Sequence, residues 1–325
     1  MNRKITFSKA INEAITQEME RDDKVFIIGE DVAKMGGDFG ITTGIWERWP
    51  DRAFDTPLSE AAFIGLACGA GLCGLRPVAE LMFADFIGVC YDQIVNNAAK
   101  LCYMYEGKAS AQIVVRAVTG GGIRCAYHHS QCIEPWLMNI PGLVVVAPST
   151  AYEAKGLLVS AIRSNNPVIF LEHKGLYNKK CDVPEELYEI PLYKAKVVKE
   201  GSDLTIVAAM SMVEFATKAS QELAEKGVDC EVINPLTLFP MDKETIINSV
   251  AKTGRLVLIQ EGPKFMGYAA EISSFINEEI FEYLKAPIKR VTSLDTPVPF
   301  APVLEDYVLP HYEDVLNACD EVMQF

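Results

Sequence analysis

The 325-residue chain has no C-x-x-C pair, no phosphate-cradling G-x-x-x-x-G-K-[ST] loop and no G-x-S-x-G nucleophile elbow. Those gaps remove the usual zinc-ribbon, nucleotide-hydrolase and serine-hydrolase readings. Histidine is scarce. The four present, at 128, 129, 173 and 311, show no ligand spacing with the nine cysteines, so a zinc site is not expected. The cysteines form an odd set, mostly within apolar runs, and read as reduced core residues of a cytosolic protein. Positive charge is short as well: 30 Lys and Arg stand against 44 Asp and Glu, a formal net charge of −14. Nucleic acid and anionic membrane need clustered cations, so neither is an expected partner, whereas a basic protein suits the balance. No apolar run approaches the length of a membrane span. The opening MNRKITFSKAINEAI reads as an amphipathic helix start and lacks a signal peptide's apolar core, which points to the cytoplasm.

Half of the residues are apolar, and the length exceeds one ordinary core, so two domains are expected. Ile11, Ile15 and Met19 share one helical face, and residues 25–29 form a continuous apolar strand, the mark of a parallel sheet buried on both sides. Strand patterns recur at 77–82, 112–118, 143–146 and 168–171, with helices at 85–105 and 150–163. The polar, Pro-bearing segment 174–191 is the linker candidate. The alternation then restarts, with strands at 204–208, 230–233, 256–259 and 288–291 and helices at 213–226, 243–252 and 269–283. The expected fold is α/β: two parallel-sheet domains, over 1–185 and 186–325.

The stretch from Phe54 to Phe86 holds an isolated carboxylate. Pro57 and Ser59 are helix-start signals, so Glu60 falls in the first turn, where orphan N–H groups favour negative charge. Residues 61–75 carry no charge and read as a buried helix whose Ala and Gly admit another backbone. Glu60 is either an ordinary helix-start Glu or, leading so apolar a run, a carboxyl with a raised pKa and a chemical role. Gly69, Gly71 and Gly74 spell G-x-G-x-x-G, but they sit within or at the end of the helix, and a dinucleotide loop is rejected. Lys252-Thr253-Gly254 is a helix end followed by glycine. His128 and His129 follow the Gly-rich Thr119-Gly120-Gly121-Gly122 at the C-terminal end of an inferred parallel strand, where open α/β sheets place ligands. From Leu304 onward the chain carries Glu305, Asp306, Glu313, Asp314, Asp320 and Glu321 without Lys or Arg, which is either a solvated helix face or a docking surface for a basic partner. No Gly-Asp-Gly-type diphosphate-and-metal loop is evident.

Gly29-Glu30-Asp31-Val32, Thr56-Pro57-Leu58-Ser59-Glu60, Glu80-Leu81-Met82-Phe83-Ala84-Asp85-Phe86, His129-Ser130-Gln131 and Thr296-Pro297-Val298-Pro299-Phe300 occur in this order. Together they resemble the beta chain of the thiamine diphosphate-dependent first component of 2-oxo acid and acetoin dehydrogenase complexes, over essentially the whole chain. The acetoin type is most similar, through PVPFAPVLEDYVLP and ELMFADFIG.

The resemblance implies a pyrimidine-binding domain followed by a transketolase C-terminal domain, in an α2β2 assembly whose alpha chain supplies the diphosphate and Mg2+ site. No metal ligand is then expected here, although the family reading admits a structural monovalent cation in the loop near Asn165 and Asn166. Glu60 matches the glutamate that hydrogen-bonds the pyrimidine ring nitrogen and favours the imino tautomer; burial would keep its carboxyl protonated enough to donate. Leu58, Met82 and Phe86 match positions lining that ring, and Met82 departs from the Gln familiar in pyruvate and branched-chain enzymes. His129 matches the histidine that donates or accepts protons during substrate addition or acyl transfer to lipoamide. The implied activity is cleavage of acetoin with oxidative transfer of the acetyl unit to lipoamide, the alternative being decarboxylating oxidation of pyruvate or a branched-chain 2-oxo acid. A lipoyl acyltransferase core is the implied further partner, docking on the acidic C-terminal region.

Overall fold

The computed structural model describes residues 3–325. Its contacts divide it into two compact units, one running up to Thr119 and resuming over Trp136–Leu192, the other made of Gly120–Pro135 and Tyr193–Phe325. No helix among the described residues is long and apolar enough to cross a membrane.

In the first unit, Arg3–Thr6 is a strand (β1), where the sequence suggested the start of a helix; Met1 and Asn2 lie outside the described residues. The helix begins at Phe7 because the Thr6 side chain accepts the Lys9 N–H, capping it there and leaving the preceding residues extended. Phe7, Ile11, Ile15 and Met19 are buried along one face. The sheet strands are β2 (Val25–Gly29), β3 (Ala53–Asp55), β4 (Arg76–Leu81), β5 (Val114–Thr119), β6 (Val144–Val146) and β7 (Val168–His173). They run in the order β6-β7-β5-β4-β2-β3, every pairing parallel. The segment expected to be a linker contains β8 (Lys180–Val183), antiparallel to β1. That segment is also tied down by Lys155, which donates to Glu13 Oε1 at 2.5 Å and to the carbonyls of Pro184, Glu185 and Glu186 at 2.8, 2.9 and 3.0 Å.

Two helices differ from expectation. The 85–105 helix breaks into a 3-10 turn over Ala84–Gly88, a π-helical stretch over Gln93–Ala98 and an α-helix over Ala99–Met104. Gly88 and β-branched Val89 interrupt it. The helix Glu60–Leu72 does admit a close backbone, for a Cβ at Gly71 would stand 2.8 Å from the Gln112 nitrogen. It is not buried all round, however: Phe63, Ile64, Ala67, Cys68 and Gly71 face inward, while Leu66 is 56% exposed.

The second unit holds β9 (Lys196–Lys199), β10 (Leu204–Ala208), β11 (Cys230–Asn234), β12 (Thr237–Phe239), β13 (Leu256–Pro263) and β14 (Lys289–Ser293). Its five-stranded sheet has the order β14-β13-β10-β11-β9. The first four are parallel, as expected, but β9 is an antiparallel edge strand whose Lys-Val-Val-Lys sequence is only half-buried. Helices Met212–Glu225 and Tyr312–Met323 close the core with Val213, Ala216, Leu223, Val315, Cys319 and Val322. The helix Lys243–Thr253 ends at Gly254 with φ 75°, the left-handed cap read from the sequence. All nine cysteines are free thiols, but only Cys68, Cys90, Cys230 and Cys319 are fully buried, fewer than their apolar settings suggested.

The first sheet is built over a buried charge. Arg116 on β5 donates through Nε to Glu172 Oε1 at 2.6 Å and through Nη2 to Glu172 Oε2 at 2.9 Å, and it pairs through Nη1 with Glu80. Tyr177 adds a hydroxyl bond to Glu172 Oε2 at 2.9 Å. Burial opposes the Arg116 charge, yet the two carboxylates outweigh it and raise its pKa; burial likewise pushes Glu172 up, against the pull of Arg116. Replacing Arg116 with Met would leave two carboxylates buried together, so unfolding of the Arg116→Met chain in urea at neutral pH should show a loss of about 3–5 kcal/mol. A loss under ~1 kcal/mol would show that the cluster does not need its cation.

Candidate active site

Glu30, at the C-terminal end of β2, is buried, and its Oε1 has no hydrogen-bond partner. Its carboxylate accepts the Ser59 backbone N–H, so the helix-start serine serves Glu30 through its main chain; its side chain does not cap the helix. Burial first, and the neighbouring Glu60 charge second, push Glu30 above the ordinary carboxylate range. Thr56 Oγ1 is also buried without a partner. Glu60 is the first residue of its helix and half-buried, less enclosed than the apolar run after it suggested. Its charge also reaches Cys90, whose thiol is pushed up to about 12, chiefly by burial.

The wall residues follow β4. Met82 and Phe86 are half-buried, and Phe86 meets Phe83 edge-on at 6.1 Å between ring centroids. Phe83 meets Phe39 at 5.9 Å, Phe39 meets Tyr177 at 5.1 Å, and Lys174 Nζ lies 5.4 Å over the Phe83 ring. Leu58 is 81% exposed, an apolar side chain presented outward beside Glu60. Glu60, Leu58, Met82 and Phe86 thus belong to the first unit, and His129 belongs to the second.

His128 is exposed and His129 half-buried, their rings 6.4 Å apart; His128 lies 4.0 Å from the Tyr127 ring. The adjacent pair therefore differs in enclosure, as neighbouring side chains on a turn must. The backbone leading to them is strained: φ is positive at Gly120 and Gly122, where glycine adopts it freely, and also at Arg124 (64°) and Ala126 (57°). Glu305, expected on the acidic C-terminal surface, is instead fully buried and bonded to this loop. Asp314 accepts the His311 N–H as a helix cap. The solvent-facing acids of that region are therefore Asp306, Glu313, Asp314 and Glu321, with Asp320 half-buried.

Two family models match the chain: the transketolase pyrimidine binding domain over residues 3–180 and the transketolase C-terminal domain over 193–315. The chain is 46% identical over 334 residues to the beta subunit of an acetoin:2,6-dichlorophenolindophenol oxidoreductase from Cupriavidus necator, covering 100% of this chain and 99% of that one. It is 45% identical over 322 residues, 99% of each chain, to a pyruvate dehydrogenase E1 component subunit beta from Rickettsia felis. A solved split-gene transketolase, described as an inactive beta4 tetramer, superposes with a TM-score of 0.79 over 98% of both chains; at 23% identity this likeness concerns the fold alone. These are the two domains of the transketolase-like, thiamine diphosphate-dependent enzymes. The chain belongs to their dehydrogenase branch, as a beta subunit that works with an alpha subunit.

The residues fit that cofactor's pyrimidine half. Glu30 Oε1 and Thr56 Oγ1 are buried polar atoms that lack a partner, and Glu60 beside them is a half-open carboxyl next to apolar Leu58. Neither Glu30 nor Thr56 stands out from the sequence as a site residue, although a carboxylate closing a parallel strand at Gly29-Glu30 is a usable signal. Because the pKa of Glu30 is raised in the fold, its stabilising contribution is complete below the unfolded value of 4.5 and is lost as pH rises through its folded value. Thermal melts of Glu30→Gln and the natural chain should therefore diverge in the variant's favour as pH climbs from about 4.5 toward 8. Parallel curves over that interval would contradict the assignment.

Proposed function

We propose that this beta chain, with its alpha subunit in an α2β2 enzyme, cleaves acetoin and passes the acetyl unit oxidatively to lipoamide. Met82 carries the substrate choice: an apolar thioether stands where the resemblance places Gln in pyruvate and branched-chain members, in a wall completed by Phe86. Thiamine diphosphate, when bound, supplies the carbon nucleophile and the electron sink. Glu60 hydrogen-bonds the pyrimidine ring nitrogen, and beside it burial, with the Glu60 charge second, holds Glu30 above the ordinary carboxylate range. Leu58, Met82 and Phe86 give the flat heterocycle apolar faces. His129 moves a proton to and from the substrate oxygen.

The diphosphate and Mg2+ fall to the alpha subunit, as the family resemblance implies. A monovalent cation near Asn165 and Asn166 belongs to the same proposal. Arg76 already donates to the carbonyls of Ile162 and Ser164 at 2.8 and 2.9 Å and to Asn165 Oδ1 at 3.2 Å, so such an ion would take other oxygens of that loop. The acyltransferase core docks on the exposed acids of the C-terminal region. Free thiols throughout suit the reducing cytoplasm, where we place the enzyme.

Pyruvate or a branched-chain 2-oxo acid is the second reading, favoured by the near-equal identity to the Rickettsia felis relative. Steady-state assays of the reconstituted enzyme with a dye acceptor separate the two. Acetoin should outrun pyruvate and branched-chain acids by at least ~10-fold in kcat/KM, and Glu60→Gln should lower turnover by at least ~10²-fold with assembly intact. A 2-oxo acid ahead of acetoin by that margin would overturn the substrate choice, and unchanged turnover in Glu60→Gln would overturn the site.

A further inference from the structure

The sheet of the second unit has a topological switch point of the kind at which open α/β sheets bind ligands, and part of the chain itself is bonded at its strand ends. β10 is followed in sequence by its neighbour β11, whereas β13 returns on the other side of β10. The carboxyl ends of β10 and β13 therefore flank a switch point, the usual location of a ligand in such sheets. Ser211 follows β10 and Glu261 lies near the end of β13, and Ser211 Oγ donates to Glu261 Oε2 at 3.1 Å. The other carboxylate oxygen of Glu261 accepts the backbone N–H of Gly121 at 2.6 Å.

A second carboxylate holds the next turn. Glu305, fully buried on the helix Pro302–Val308, accepts the Gly122 N–H at 2.7 Å on Oε1 and the Arg124 N–H at 3.1 Å on Oε2. The Arg124 guanidinium closes on the same Oε2 at 2.8 Å and reaches Asp306 Oδ1 at 2.7 Å. A Cβ at Gly121 would stand 3.1 Å from Leu309 and 3.5 Å from Glu305, so the fit leaves little room for a side chain. Left-handed backbone at Arg124 persists only where its surroundings over-determine it, and Glu305, which takes both the Arg124 N–H and its guanidinium, does so.

We infer that Glu305, with Glu261, is a positioning residue for His129: the carboxylates grip the Gly121–Arg124 backbone and so set where the histidine turn stands. The inference rests on the proposed proton-transfer role of His129. Glu305→Gln keeps an acceptor for Gly122 but turns an amide donor toward the Arg124 donors, loosening the loop without emptying the site.

The test is a double-mutant cycle in the reconstituted α2β2 enzyme with acetoin and a dye acceptor, with melting temperature and assembly followed in parallel. Glu305→Gln should lower kcat by ~10²-fold while KM moves less than ~3-fold, because a loosened loop misplaces the proton carrier more than it weakens binding. In the His129→Ala background the same change should add no further loss, since there is no imidazole left to position. If Glu305→Gln does not assemble, Arg124→Gln, which removes the exposed partner alone, should show a ~10-fold fall in kcat with the same non-additivity. Losses that multiply in the double variant, or a full kcat in the Glu305 or Arg124 variant while His129→Ala is impaired, would overturn the inference and leave the proposed function standing. A His129→Ala enzyme with full turnover would instead remove the histidine role itself.

Discussion

A single buried guanidinium organises the first unit. Arg116 lies on β5 at the middle of the sheet, its carboxylates come from the flanking strands β4 and β7, and Tyr177 completes the cluster. The chain leaving each strand end then enters the candidate site. Glu80 is two residues before Met82, and Glu172 is two residues before Lys174, which lies over Phe83. A buried ion cluster of this kind is an uncertain source of net stability, because desolvation offsets attraction. What it provides is register: β4, β5 and β7 cannot slide past one another without stranding a charge.

The sequence made the parallel sheets legible because strands buried on both faces must be continuously apolar, as Val25–Gly29 and Leu204–Ala208 are. The antiparallel β9 and the β1–β8 ribbon were missed for the opposite reason. They are edge elements, half-exposed and lysine-bearing, and their pairing depends on partners distant in the chain. Thr6 shows the limit of periodicity at a terminus, since one hydroxyl decides where the first helix begins.

Site residues divide along a similar line. Glu60, Leu58, Met82, Phe86 and His129 stand out as candidates because each sits at the end of an element or in a Gly-rich loop, and because the motifs around them are distinctive. Glu30 was hidden by its neighbours, and its exceptional character comes from burial beside Glu60, which composition does not reveal. Glu305 contradicts its sequence setting. In an acidic run without Lys or Arg it looked like surface, yet one helical turn aims it at backbone amides some 180 positions earlier in the chain. Charge patterning finds solvated faces well and fails where a single member of the run is turned inward.

The outward face of the helix Glu60–Leu72 has a consequence for the solubility of this polypeptide. Leu58, just before the helix, and Leu66, on it, both stand in water, so the folded chain still displays uncovered hydrocarbon. A partner seated on this face would remove that hydrocarbon from water, so the beta chain is expected to be less soluble alone than in its assembly.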